Sequence, residues 1–172
     1  EFIVVLGILV AAVSSSLLFL TSILRGANQA NVTSEVKQNG QAVLDNIESQ
    51  IRNASNAISD EGDKHIKLTR QNADPLHIKC FADFAPKSRN GWIGTAVSTD
   101  ENPEDSKYIA LTNTDLVSGV DVNDCKFMVQ PSVTAPPVIY IEFSAKEGIA
   151  APSRQDFKSN IEFQTTVALR RY

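Results

Sequence analysis

Between Phe2 and Leu24 the chain runs for 23 residues without a charge, FIVVLGILVAAVSSSLLFLTSIL. As an α-helix this segment is about 35 Å long, enough to cross a hydrocarbon layer of about 30 Å. Its polar members (Ser14, Ser15, Ser16, Thr21 and Ser22) are small hydroxyls, which bond back to helix carbonyls one turn earlier. A signal peptide has a positive leading region and a shorter apolar core, whereas this run is long and follows the carboxylate of Glu1. A helix inside a globular core normally keeps a polar stripe, and one that is apolar all round belongs in a bilayer or at the centre of a helix bundle. Phe2, Ile3, Val4, Val5, Leu6, Ile8, Leu9, Leu17, Leu18, Phe19 and Leu20 are therefore the candidate membrane or bundle-core residues.

Two readings of Glu1 stand side by side. It is the solvated start of the helix, where a negative charge suits the helix dipole, or it meets a cation on a neighbouring subunit when such helices pack without water. Orientation poses a related question. The first positive charge is Arg25, on the C-terminal side of the run, so the positive-inside rule alone would leave the rest of the chain in the cytoplasm. A basic leader removed by processing would reverse that assignment.

After Arg25 the pattern turns amphipathic. Val32, Val36, Val43, Leu44, Ile47, Ile51, Ala54 and Ile58 recur at steps of mainly three, four and seven, the stripe of a helix with one buried face. Gly26 and Gly40 weaken the helix without forcing a stop. One helix running to about Ile58, ended by Asp60-Glu61-Gly62-Asp63, is expected. Strands follow, at 65–69, 76–82, 92–97, 108–111, 126–129, 138–143 and 161–169, the last two being the richest in β-branched and aromatic residues. A turn is expected at Ala73-Asp74-Pro75 and a surface loop over 99–107. One long helix followed by a run of strands gives an α+β class, an antiparallel sheet packed on the helix's C-terminal half. The organisation read from this is an apolar helix over 1–25 and a head over 26–172, the latter built of an amphipathic helix (26–58) and a sheet region (64–172).

The N-terminal stretch Glu1-Phe-Ile-Val-Val-Leu-Gly-Ile-Leu-Val-Ala-Ala-Val13 resembles that of type IV pilins and the related pseudopilins. The C-terminal Phe163-Gln-Thr-Thr-Val-Ala-Leu-Arg170 is similar to the strand that closes many bacterial prepilin-like proteins. With the apolar run that continues to Leu24, these motifs cover about a fifth of the chain. The resemblance implies a pilin-like fold and a structural, non-enzymatic role as a subunit of a helical surface filament, with no cofactor. It implies processing by a prepilin peptidase, a membrane-inserted stage, and assembly with copies of itself by pilus machinery, the filament serving adhesion, twitching motility or DNA uptake. Glu1 falls on the family's characteristic glutamate and would set the assembly register. The four residues that precede that glutamate in the family are not in this sequence. Where many major pilins carry a proline, this chain has Leu18. That absence and the closing motif lean towards a minor pilin or secretion-system pseudopilin at a filament tip. A single-pass anchored binding domain that never polymerises is the rival from another class.

Other constellations carry less. Cys80 and Cys125 favour a disulfide over two free thiols if the head lies outside the cytoplasm, and pilins often pin their C-terminal region with one, although this pair leaves the last strand outside the loop. His77 and Cys80 with His65 do not make a zinc set by spacing, since residues 77 and 80 of one strand point to opposite faces. The acidic groups Asp60-Glu61-Asp63, Asp100-Glu101, Glu104-Asp105 and Asp121-Asn123-Asp124 lack the twelve-residue calcium-loop spacing and read as solvated turns. No G-x-S-x-G, phosphate loop or dinucleotide fingerprint occurs. The net charge of −4 argues against binding nucleic acid through the whole surface. Lys87, Arg89 and Trp92, with Arg154, Lys158, Arg170 and Arg171, are the basic and aromatic residues that would touch DNA or a surface ligand, and ordinary surface positions explain them equally. The sequons Asn31-Val32-Thr33 and Asn53-Ala54-Ser55 both lie in the expected helix and are set aside on that ground.

Overall fold

A computed structural model of the chain describes residues 2–60, 62–82, 88–132 and 136–169. One helix, α1 (Phe2–Arg52), is followed by β1 (Ala54–Ser59), β2 (His65–Arg70), β3 (Ala73–Phe81), β4 (Trp92–Val97), β5 (Ile109–Ala110), β6 (Val120–Gln130), β7 (Val138–Glu147) and β8 (Asn160–Ala168). The class is α+β, a long apolar N-terminal helix with antiparallel strands packed on its second half.

The strands form two sheets where one was expected, a five-stranded meander β1-β2-β3-β4-β5 and a three-stranded sheet β6-β7-β8, every described pairing antiparallel. The second sheet lies against α1, chiefly through β8. The helix contributes Val36, Val43, Leu44, Ile47 and Ile51 to a core that also takes Ile66, Leu68 and Ile78 from the meander and Phe127, Ile139, Ile141 and Phe143 from the other sheet. All of these are buried. The 3.6-residue stripe of α1 and the alternation of the strands thus converge on one apolar interior.

The helix ends at Arg52, not near Ile58. Ala54 and Ile58, at helical spacing in the sequence, belong to β1, where Ala54 is buried and Ile58 is 58 % exposed. The segment Asn53-Ala-Ser-Asn-Ala-Ile-Ser59 is rich in short side chains that bond to nearby backbone and compete with helix. Asn56 Oδ1 accepts the Ala57 N–H at 2.9 Å and Ser55 Oγ donates to the Thr69 carbonyl at 3.1 Å. Pairing with β2 supplies the remaining partners, with a bulge between Ala54 and Asn56. Asp60, Gly62 and Asp63 consequently lie between β1 and β2 and do not end the helix, and Glu61 lies outside the described residues.

The β2–β3 turn lies at Gln71-Asn72, where Arg70 faces Ala73 and Asn72 takes a φ of 59°. Ala73, Asp74 and Pro75 belong to β3 and are not the turn. Asn tolerates the left-handed region that most residues avoid. The expected strand over 108–111 shrinks to Ile109–Ala110, while β6 starts at Val120, six positions earlier than the apolar run starting at Lys126 suggested. The register break between Val122 and Cys125 hides that earlier half from an alternation test.

Candidate functional site

The main surface feature is the front half of α1. Every residue from Phe2 to Ala27 is exposed, and the first side chain to meet the head is Asn28. Phe2 is 78 % exposed, Ile3 85 %, Leu18 72 % and Phe19 69 %, with Val4, Val5, Leu6, Ile8, Leu9, Leu17 and Leu20 also on the surface. None of the apolar window is buried against the rest of the molecule, and the helix is long and apolar enough to cross a membrane. About 26 residues at 1.5 Å each make a rod of about 39 Å. Three of its five hydroxyls are satisfied within the helix, Ser15 and Ser16 donating to the Ala12 carbonyl at 2.9 and 2.8 Å and Thr21 to the Leu18 carbonyl at 2.9 Å. They add no unmet polar group to an apolar environment. Glu1, the expected register residue, lies outside the described residues.

Where the rod meets the head, a polar clip holds it. Asn28 Nδ2 donates to Asp156 Oδ2 at 3.3 Å, and Arg154 donates to both oxygens of the same carboxylate at 3.1 and 2.9 Å. Burial opposes ionisation of Asp156, but the Asn28 hydrogen bond and the Arg154 charge outweigh it and hold the carboxyl below its ordinary range. Beside the clip a groove of about 330 Å³ is lined by Asn31, Val32, Val117, Pro152 and Phe157, with Leu116 and Val117 exposed at its loop. Further up, Thr165 Oγ1 donates to Glu48 Oε1 at 2.6 Å and pins α1 to β8. Asn90, 1 % exposed, donates to the Asp115 carbonyl at 2.6 Å and accepts from the Ile149 N–H at 2.9 Å, joining three loops.

Cys80 in β3 and Cys125 in β6 are bonded to each other, their Cα atoms 6.2 Å apart. The link ties the two sheets together. The chain beside it is clipped as well, Phe127 N–H donating to the Asp63 carbonyl at 2.6 Å and Cys80 N–H to that of Lys64 at 2.9 Å.

The two histidines, which sequence placed on either side of a turn, lie together. His65 Nε2 and His77 Nδ1 are 2.9 Å apart, the ring planes 4° from parallel. His77 Nε2 is 3.2 Å from the Ser98 carbonyl, which only accepts, so Nε2 carries the proton and Nδ1 accepts from His65. His65 Nδ1 is left facing Asp60 Oδ2 at 3.6 Å. Burial lowers both pKa values; a charge on His77 would oppose one on His65, and Lys79 and Lys67 act on His65 in the same direction and Lys67 on His77. Asp60 beside His65, and the Ser98 carbonyl, Asp100 and Glu101 beside His77, pull the other way without reversing the shift. The arrangement is a pair of neutral imidazoles, with Cys80 engaged elsewhere and among the described residues no group of three or more donors placed for a metal.

Of the acidic groups, Asp100, Glu101, Asp105 and Asp121 are engaged within the head. Asp100 pairs with Lys107 at 2.8 Å, Asp105 with Lys79 at 2.7 Å and Glu101 with Lys67 at 3.3 Å. Asp121, 3 % exposed, accepts the Gly91 N–H at 2.8 Å. Trp92 stacks on Phe81 with centroids 4.0 Å apart, and Tyr108 meets the same ring edge-on. Burial, then the Asp105 charge, pushes the Tyr108 hydroxyl up to about 12. Of the basic residues named with Trp92, Lys87, Arg170 and Arg171 lie outside the described residues. Arg154 sits over Phe157 at 5.7 Å and serves the neck clip. Sequence reasoning missed the neck clip, the Asn90 staple and the histidine pair, because each joins residues far apart in the chain. The only available signals were a polar residue at the end of the apolar run and two histidines in alternating segments.

Comparison with family models, with curated proteins and with solved structures returned no match.

Proposed function

We propose that this protein is a structural subunit of a helical surface filament of the type IV pilus kind, anchored in a membrane before assembly and packed through α1 with copies of itself afterwards. The observation that carries the reading is the rod of α1, exposed from Phe2 to Ala27 and without a charge from Phe2 to Leu24. Such a surface requires a non-aqueous surrounding. Lipid provides it in the anchored state, and the same segments of neighbouring subunits provide it in a bundle. The sequence motifs at Glu1–Val13 and Phe163–Arg170 supply the resemblance that favours a polymer over a solitary anchored domain.

In the bundle Glu1 sets register. A carboxylate carried into an apolar interior without a partner costs several kcal/mol, so subunits stop where a cation meets it. The head packs on α1 from Asn28 onwards and stands outside the bundle. Adhesion, twitching motility and DNA uptake are the roles such filaments serve.

The test uses surface material sheared from the source cells, imaged by electron microscopy and analysed for this chain. Filaments containing it are expected, and Glu1→Ala leaves the chain in the membrane fraction while filaments are lost. Isolated particles only, or normal filaments from Glu1→Ala, refute the proposal.

A further inference from the structure

The end of α1 changes the standing of one motif. Asn53-Ala54-Ser55 matches the N-glycosylation acceptor pattern, and inside a helix it would have been inert. The helix stops at Arg52, and Asn53 is an exposed turn residue between α1 and β1. Ser55 is exposed too, and it is the residue left over at the bulge between Ala54 and Asn56. Strand β1 is the outer strand of its sheet. The acceptor amide and the hydroxyl that a transferase must engage are therefore both on the outside at a sheet edge, the hydroxyl giving its proton to the Thr69 carbonyl at 3.1 Å and keeping its oxygen free to accept. An open groove lined by Asp45, Glu48, Ser49 and Arg52 borders Asn53, offering polar partners to a sugar.

A second observation bears on compartment. The Cys80–Cys125 bond belongs to a head that matures where thiols are oxidised. Acceptor asparagines in secreted chains are modified on surface loops on that side of a membrane.

We propose that Asn53 carries an N-linked glycan transferred from a polyprenyl-diphosphate oligosaccharide. The side-chain amide nitrogen forms a bond to the anomeric carbon, the bond from that carbon to the diphosphate oxygen breaks, and the amide gives up one proton to a base. No oxidant or reductant takes part. The inference needs the head to face the oxidising side and does not need the chain to polymerise.

The molecule contains its own control. Asn31-Val32-Thr33 has the same pattern and Asn31 is exposed, but it lies in the middle of α1, with Val32 packed on the core. Its backbone is committed to helical hydrogen bonds, so Asn31 stays bare.

The full chain is isolated from its source cells and cut with a glutamate-specific protease, and the Ser49–Glu61 and Asn31-containing peptides are weighed before and after amide-cleaving glycosidase in heavy-oxygen water. A glycan mass on the first peptide alone is expected, with Asn53 converted to labelled Asp. Asn53→Gln and Ser55→Ala lose it, and Ser55→Thr keeps it. An unmodified Ser49–Glu61 peptide, a glycan that survives Ser55→Ala, or equal occupancy at Asn31 overturns the proposal. Filament formation by the unglycosylated variant leaves the proposed function standing, so the two readings fail separately.

Discussion

Gly40 of α1 lies under the Phe163 ring of the last strand, and substituting it sets two known effects against each other. An alanine Cβ at this position would overlap the ring of Phe163. That ring is 6 % exposed and stacks on Phe143 with centroids 5.0 Å apart, so it has little room to retreat. Overpacking of a closed core costs about 1–3 kcal/mol. Against it stands helix propensity, which favours Ala over Gly in a helix interior by about 0.8–1.0 kcal/mol. With the ring held on two sides the overlap wins, and Gly40→Ala is expected to destabilise the protein by about 1–2 kcal/mol.

The sign reverses once the obstacle goes. Phe163→Ala alone costs about 3–5 kcal/mol through lost burial and the cavity it leaves. In that background the Gly40 Cβ enters free space, and Gly40→Ala stabilises by about 0.5–1 kcal/mol. The assay is denaturant unfolding of the full chain in detergent, followed by the fluorescence of Trp92, the sole tryptophan. A double-mutant cycle gives a coupling of about 2 kcal/mol between positions 40 and 163. If Gly40→Ala stabilises the parent, or costs the same in both backgrounds, the close approach does not govern this contact.

Four further outcomes follow from the same geometry. Reducing the Cys80–Cys125 bond, which closes a separation of 45 positions, lowers stability by up to about 4 kcal/mol on the chain-entropy model, read as a fall in denaturant midpoint that the Cys80→Ala/Cys125→Ala variant reproduces. His65 and His77 have pKa values below 6.5 when folded, so the unfolded chain binds more protons as pH falls through 6.5 and the denaturant midpoint drops there and below; histidine proton shifts followed against pH check the direction, and a flat midpoint between neutrality and mildly acid pH refutes it. Asn28→Ala unties the Asp156 clip at a cost of about 1 kcal/mol, and hydrogen exchange shows faster opening of 154–158. Val10→Asp places a charge in the middle of the apolar run at a cost of about 3 kcal/mol of insertion, and carbonate extraction shows the chain leaving the membrane fraction.

What sequence disclosed and what it did not divide along a physical line. The apolar run, the stripe from Val32 to Ile51 and the strong alternation of β7 and β8 are properties of consecutive residues, and they located the long helix and the sheet it packs on. The end of α1 depends on β2, a partner strand 14 positions on for Ser55 and Thr69, so a window over 50–58 saw only Ala54 and Ile58 at helical spacing. The split into two sheets turns on the loop between β5 and β6 and on the bulge at Asn123-Asp124, neither of which has a local apolar signature. His65 and His77 meet because β2 and β3 pair in one particular register, a shift of which would put them on opposite faces. Pairings of that kind are decided by the whole fold.

The front of α1 raises an energetic question that bears on the proposed filament. Moving an apolar helix from lipid into a bundle of like helices gains little from the hydrophobic effect, because lipid tails are as apolar as leucine. Association in the bundle must therefore come from close packing, from polar contacts and from the heads. Gly7, Ala11, Ala12 and the Ser14–Ser16 triplet are among the small residues on this rod, and a Cβ at Gly7 would meet nothing within the molecule. That glycine has no work to do inside the subunit, whereas Gly40 plainly has. Small residues on a bare apolar helix let backbones approach one another, and a mate that fills the space over Gly7 makes it sensitive to bulk. Gly7→Leu lengthens no span and adds no charge, so it leaves membrane insertion intact while the proposed filament fails to form. Sheared filaments of normal abundance from that variant would mean that Gly7 faces no neighbour, and that close packing over this glycine does not hold the polymer together.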